Sequence, residues 1–328
     1  MGKYRNFKQS AVSRSGAQSL RNLAIGPRVL AVVVLALGFA LIAASAASAQ
    51  SQRPAAQPQW LVFSARVAGG FSTEQLFRIS LAGTGLKQLT TGTAPAEAPA
   101  VSPDGTRIAF ARLGDGLFSM DVNGTGVRRL TGNARDGFPA WSPDGTRIAF
   151  LRPTVKGWEL HVMSASGADE RRLPQAPRAG RPTWTKLGLV IPTEGDLAKV
   201  NGLTGQVQKR FDAFIDVFVG MTATAVAPDL SRIAFVGSRP SDPGDKDCGE
   251  GVPCPRFALY LQNLSTHKDP TLLVRDTGPG AFSPDGKTLA YVVHEHIVLR
   301  DVVTGAVTIV KTGKASPTTS TPPAWLPR

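Results

Sequence analysis

The sequence repeats itself, and that repeat limits what the chain can fold into more than any other feature. Residues 139–150 read PAWSPDGTRIAF, and residues 99–110 read PAVSPDGTRIAF. Degenerate copies follow as PTWTKLGLVI at 182–191, TAVAPDLSRIAF at 224–235, GAFSPDGKTLAY at 280–291 and a truncated PAWLPR at 323–328. Six copies, most of them a little over 40 residues apart and one pair spread further by an insertion, mark a repeat architecture.

One copy contains its own folding instructions. In Ser142-Pro143-Asp144-Gly145 the proline presets φ, the aspartate bonds nearby backbone and the glycine accepts a positive φ, so the four residues read as a tight turn. The same reading covers Asp104 and Gly105, and Asp285 and Gly286. Arg147-Ile148-Ala149-Phe150-Leu151 is apolar and β-branched enough for a strand covered on both faces. An alternating stretch from Trp158 to Met163, a small-residue turn and Arg171-Arg172-Leu173 complete a four-stranded unit. Residues 60–328 provide about 45 residues per copy, the size of a propeller blade. The expected fold is therefore all-β, a six-bladed β-propeller of four-stranded blades. The phase at the ends adds a detail. Trp60-Leu61-Val62-Phe63 matches the strand after the turn, and Ala324-Trp325-Leu326 matches the strand before it. The N- and C-terminal strands should share one blade and close the ring, which removes two open edges.

Ahead of the repeats, residues 1–49 carry Lys3, Arg5, Lys8, Arg14, Arg21 and Arg28 with no acid. An apolar run over 29–42 and the small residues Ser45-Ala46-Ala47-Ser48-Ala49 follow. This order describes a signal peptide, or an uncleaved anchor over residues 29–49. Either implies a periplasmic or secreted chain, anchored to the membrane in the second case. Residues 50–59 read as a flexible linker and 60–328 as the propeller. Of the net charge of +13, the 31 bases and 24 acids after residue 49 account for +7. Cys248 and Cys254 lie in a Gly/Pro/Asp-rich insertion at 238–256, and in an exported chain they are expected to form a disulfide.

The W-S-P-D-G-x-x-I-A-F pattern, with the Asp121-Val122-Asn123-Gly124 turn and the Arg128-Arg129-Leu130-Thr131 segment, resembles the TolB-type propeller repeat. Related blades occur in prolyl-peptidase propellers. The resemblance covers residues 60–328 and implies a propeller; TolB of the Tol-Pal envelope system is periplasmic and carries an α/β domain ahead of its ring. Ten linker residues stand in that place here, and fold alone does not assign function.

Catalytic chemistry is hard to find in this sequence. No G-x-S-x-G elbow occurs; Gly70-Phe71-Ser72-Thr73-Glu74 fails at its last position. The turn aspartates, Asp229 among them, are accounted for by backbone bonding. His294 and His296 would share a face if both sat in one strand, a thin basis for a metal, and His161 and His267 fall in separate blades. Arginines recur at matching repeat positions and should be spread around the ring, which argues against reading nucleic acid. Chain direction sends blade connections and second-to-third strand loops to one face, collecting residues 94–98, 133–137, 175–181, 212–221 and 311–321. Arg135, Asp136, Arg178, Arg181, Phe214 and Phe218 are the candidate partner-face residues. The sequence thus reads as a monomeric, non-catalytic interaction scaffold for an envelope or extracellular protein, without cofactor or nucleic acid. The alternatives are a metal-dependent lactonase-like or lyase-like propeller and a carbohydrate- or peptidoglycan-binding one.

Overall fold

A computed structural model describes residues 60–67, 73–174, 176, 180–193, 196–211, 219–238, 257–266 and 268–327. The proposed signal segment and linker, Cys248, Cys254, Arg178, Phe214, Phe218 and His267 lie outside them. Among the described residues there is no helix, and none therefore is long and apolar enough to cross a membrane.

Six antiparallel sheets form the six blades of a propeller. Blade 2 comprises β4 (Ala96–Val101), β5 (Arg107–Arg112), β6 (Gly116–Asp121) and β7 (Arg128–Arg129), counted from the axis outward. Blade 3 is β8 (Gly137–Trp141) to β11 (Arg171–Arg172), with β9 at Arg147–Thr154 and β10 at Gly157–Ser164. Blades 4, 5 and 6 begin at β12 (Thr183–Thr185), β16 (Val219–Val226) and β20 (Ala281–Phe282). Blade 1 has β1 (Trp60–Val67), β2 (Gln75–Ser80) and β3 (Lys87–Gln88) from the start of the repeats. Its inner edge comes from the end of the chain, as β24 (Ala315–Pro317) and β25 (Ala324–Leu326). Trp60 pairs with Leu326 and Val62 with Ala324, so the ring closes as the phase of the repeat requires.

The R-I-A-F motif explains why the blades stack. Alternate residues of a strand face opposite sides of the sheet. Ile108 and Phe110 pack with Val62 and Leu76 of blade 1, while Ala109 and Ala111 meet Ile148 and Phe150 of blade 3. Large side chains on one face thus press on small ones of the neighbour, which lets adjacent sheets approach and interdigitate. The pattern runs on around the circle: Ala149 with Leu189, Val190 with Phe235, Ala234 with Tyr291, and Ala290 with Phe63. Six apolar clusters fill the six gaps between blades.

Polar contacts repeat with the same period. Trp141 Nε1 donates to the Ala100 carbonyl of the preceding blade at 3.0 Å, and Trp325 Nε1 donates to that of Ala281 at 2.9 Å. Lys87 Nζ reaches the Asn123 carbonyl at 2.8 Å and Arg128 that of Ala165 at 3.0 Å, with Arg171 on Leu203 in the same manner. These recurring cations latch one blade to the next.

The turns show how degeneracy is absorbed. Asp144 Oδ1 accepts from Ser142 Oγ at 2.6 Å, Thr146 N at 3.0 Å and Thr146 Oγ1 at 2.8 Å, while Ser142 Oγ accepts from Arg147 N at 2.9 Å. Ser102 and Asp104, and Ser283 and Asp285, repeat this arrangement. Gly145 has φ +70°, and its α-carbon faces Pro103 of the preceding blade. In blade 5 Leu230 takes that left-handed place with φ +58°, its half-buried side chain packing on the Ile233 cluster. Blade 4 has abandoned the turn: Thr185 pairs directly with Gly188 across Lys186 and Leu187.

Candidate functional site

The strands fix two unlike faces. The Ser-Pro-Asp-Gly turns and the third-to-fourth strand turns lie on one, the turn face. Blade connections and second-to-third strand hairpins lie on the other, the loop face. The inner strands and the segments that lead into them enclose a cavity of about 190 Å³. All six blades line it, through Ala98 and Pro99, Phe138 and Pro139, Arg181 to Thr183, Ala225 and Val226, Gly280 to Phe282, and Pro322.

A backbone irregularity aims side chains into this cavity. Ala98 and Phe138 have φ of 51° and 55°, and pairing shifts register between Glu97 and Ala100 and between Gly137 and Ala140. Each bulge swings the residue before the inner-strand proline toward the axis. In blade 4 the equivalent residue is Arg181.

Arg181 spans the mouth. Its Nη2 donates to the Ser320 carbonyl at 2.9 Å, so blade 4 is bonded to the tail segment of blade 1, which stands opposite in a ring of six. Its Cζ lies 4.2 Å from the Phe138 ring centroid, a cation–π contact. Nη1 is buried and has no hydrogen-bond partner. Burial pulls the guanidinium pKa down to about 10 against the opposing pull of Glu97, which leaves it charged at neutral pH. Glu97 is half-buried; burial and then the Glu74 carboxylate raise its pKa, and Arg181 lowers it. Glu74 accepts from Arg66 at 3.1 Å, Thr318 Oγ1 at 3.2 Å and Ser320 Oγ at 2.9 Å. The mouth therefore holds two carboxylates and a guanidinium above apolar walls.

Beside it, the second-to-third strand hairpin of blade 3 stands taller than that of blade 2. Its ladder runs to Gly157 opposite Thr154, whereas the blade 2 ladder stops at Gly116 opposite Arg112. Val155 at the tip is fully exposed, and Trp158 is 39% exposed with its ring edge-on to Phe138 at 5.6 Å. Arg181, Phe138 and Trp158 form one continuous run of contacts from the mouth to the hairpin.

Of the partner-face residues expected from sequence, Arg181 sits at the mouth and Arg135 is exposed on the loop face. Asp136 must be corrected: its side chain is wholly buried and accepts two bonds from Arg152, each 2.7 Å, so it positions the hairpin and offers nothing to a partner. Arg152 also meets Glu170 at 2.7 Å, and these bonds, that to Asp136 first, push its pKa up. His161, with its pKa lowered by burial and then by Arg152, lies between Glu170 and Glu159 at 3.7 and 3.9 Å. The shared face of His294 and His296 is also corrected, because His294 and Glu295 both have positive φ and make the two-residue turn between β21 (Thr288–Val293) and β22 (His296–Asp301). Among the described residues, no group of three or more His, Cys, Asp or Glu is arranged to hold a metal. Glu74, Glu97, Phe138 and Trp158 were missed. For Phe138 the available signal was a position that varies between copies just ahead of a proline kept in four of the six.

Similarity to solved structures fits this geometry. TolB from Acinetobacter baumannii superimposes with a TM-score of 0.64 at 17% identity, over 82% of this chain and 67% of that one. The propeller is TolB-like. A chain from the crystal structure of a nidogen/laminin complex matches with a TM-score of 0.56 at 11% identity, over 81% of this chain and 98% of that one. At such identities the likeness to both is one of fold. No family model and no curated protein matches the chain.

Proposed function

We propose that this is an exported, non-catalytic propeller whose loop face docks a protein of the cell envelope or extracellular space. The observation that carries the reading is the blade 3 hairpin, which lifts Trp158 and Val155 into solvent while the Arg152–Asp136 pair holds its base. A half-exposed tryptophan on a rigid support is the kind of anchor around which protein interfaces concentrate their energy. A closed ring displays it at little cost in ordering entropy. The similar chain from the nidogen/laminin complex is an instance of the same fold within a protein assembly. Residues 1–49 would direct export as a signal peptide, or remain as an anchor.

The test compares the two faces. Full-length protein carrying Trp158→Ala with Arg135→Glu, and a turn-face control, Lys287→Glu, are used to capture cross-linked partners from envelope extract. The loop-face variant should lose a specific partner by about tenfold or more while the control keeps it. Equal capture by both overturns the docking face. N-terminal sequencing of protein from the same extract should begin at Gln50 if the leader is cut.

A further inference from the structure

The cavity mouth holds a cation that the protein itself leaves half-served. A guanidinium has five N–H donors and is normally matched by a carboxylate when withdrawn from water. Arg181 gives one bond to the neutral Ser320 carbonyl, and its Nη1 is buried without an acceptor. Glu97 acts on it only through space, with no ion pair formed between them. A buried polar atom without a partner calls for an explanation. Directly at hand is a cavity of about 190 Å³ walled by Pro99, Pro139, Pro182, Val226 and Phe282. A cavity of about 150 Å³ with apolar walls is enough to admit benzene.

We infer that this cavity binds a small, flat, apolar carboxylate, its ring or short chain between the prolines and Phe282 and its charged end on Arg181. Two parallel N–H···O bonds would satisfy the guanidinium, and the walls would desolvate the apolar body. Phosphates and dicarboxylates fit poorly, since Glu97 and Glu74 flank the cation and would repel a second negative charge. A monocarboxylate can instead share a proton with Glu97. The groups facing Glu97 are Glu74, itself bonded to Arg66, and Arg181; the incoming anion competes for Arg181 and adds a negative neighbour, so it favours the protonated form. Binding should therefore take up a proton and tighten as pH falls.

The experiment titrates the full chain with benzoate and, as the neutral isostere, benzamide, by ligand-observed NMR and calorimetry at about pH 8 and pH 5. Benzoate should bind at least about tenfold more tightly than benzamide, the discrimination expected of a charge-assisted pair. It should bind more tightly at the lower pH. Arg181→Gln should abolish the preference, Glu97→Gln should flatten the pH dependence, and Phe282→Trp should block both ligands by filling the cavity. Melting curves check that each variant is folded. Equal binding of benzoate and benzamide, unchanged preference in folded Arg181→Gln, or no binding of either to the wild-type chain overturns the inference. Neither Trp158 nor Arg135 lines the cavity, so the docking reading stands or falls separately.

Discussion

The turn face and the loop face are opposite ends of the same strands, yet they obey different rules. On the turn face the three copies that keep the whole Ser-Pro-Asp-Gly turn agree to within tenths of an ångström: Asp104, Asp144 and Asp285 each accept a backbone N–H at 3.0 Å from the residue two places on. Gly105 faces Pro327, Gly145 faces Pro103 and Gly286 faces Pro228, the same contact at three of the six junctions. On the loop face the six positions equivalent to Arg181 are Ala98, Phe138, Arg181, Ala223, Pro279 and Pro322. Repetition on one face reflects the building of a circle from nearly equal sectors, with blade 4 showing that a single sector can depart from it. Variety on the other is possible because a closed ring no longer needs those positions, which are then open to recognition.

The largest blow to that contrast would come from the one segment that serves both faces. The tail passes the cavity mouth at Ser320, runs down the inner edge of blade 1 and ends at Pro327 against the turn of blade 2. Deleting residues 319–328 removes buried Ala324, Trp325 and Leu326 and the Trp325 bond that closes the ring. Burial of these side chains is worth roughly 5 kcal/mol, comparable with the whole stability of an ordinary domain. The truncated chain should show no cooperative melt by circular dichroism and should elute as an expanded or aggregated species. A melting point within a few degrees of wild type would mean the ring is closed by something other than this strand.

Next in size is a test of the loop face alone. Arg152→Ala leaves the wholly buried Asp136 carboxylate without its cation and should cost about 3–5 kcal/mol in denaturant unfolding. Adding Asp136→Ala should recover a good part of that, because the cost lies in the stranded charge. A single-variant loss below about 1 kcal/mol would show that the hairpin does not depend on this pair.

How much of each face could be read beforehand follows from the same contrast. The ring, its closure and the number of blades were legible because they rest on local rules repeated six times, and Trp325 matched Trp141 in sequence as it does in hydrogen bonding. The cavity mouth was only partly legible. Arg181 was named for its loop, but its reach to Ser320 spans 139 residues of sequence and depends on which blades stand opposite. Asp136 looked exposed because it lies in a connection, and only the packing of Arg152 from β9 reveals it as interior. His294 and Glu295 form a two-residue turn that contains neither glycine nor asparagine, so the usual signal that His294 leaves the strand of His296 was missing.

The smallest effect separates the faces by pH. Asp144 is exposed, yet its hydrogen bonds from Ser142 and from the Thr146 backbone and hydroxyl hold its carboxyl down to about 2. In the unfolded chain it would titrate near 4. Its folded pKa is the lower of the two, so its stabilisation is fully present above about pH 4 and is lost as pH falls through about 2. Asp144→Ala should therefore cost about 1 kcal/mol at pH 7, the worth of a solvated turn bond, and less at pH 2. Urea unfolding of both proteins across that range measures it. Glu97 on the loop face has its pKa displaced upward, so its protonation favours the folded state, and a Glu97→Gln variant should differ from wild type in the opposite sense as the solution is acidified. Both variants should approach wild type as pH falls, Asp144→Ala from below and Glu97→Gln from above; if Glu97→Gln instead starts less stable than wild type at pH 7, the carboxylates of the two faces act in the same sense, and the distinction between a face that builds the ring and one freed for recognition loses its electrostatic support.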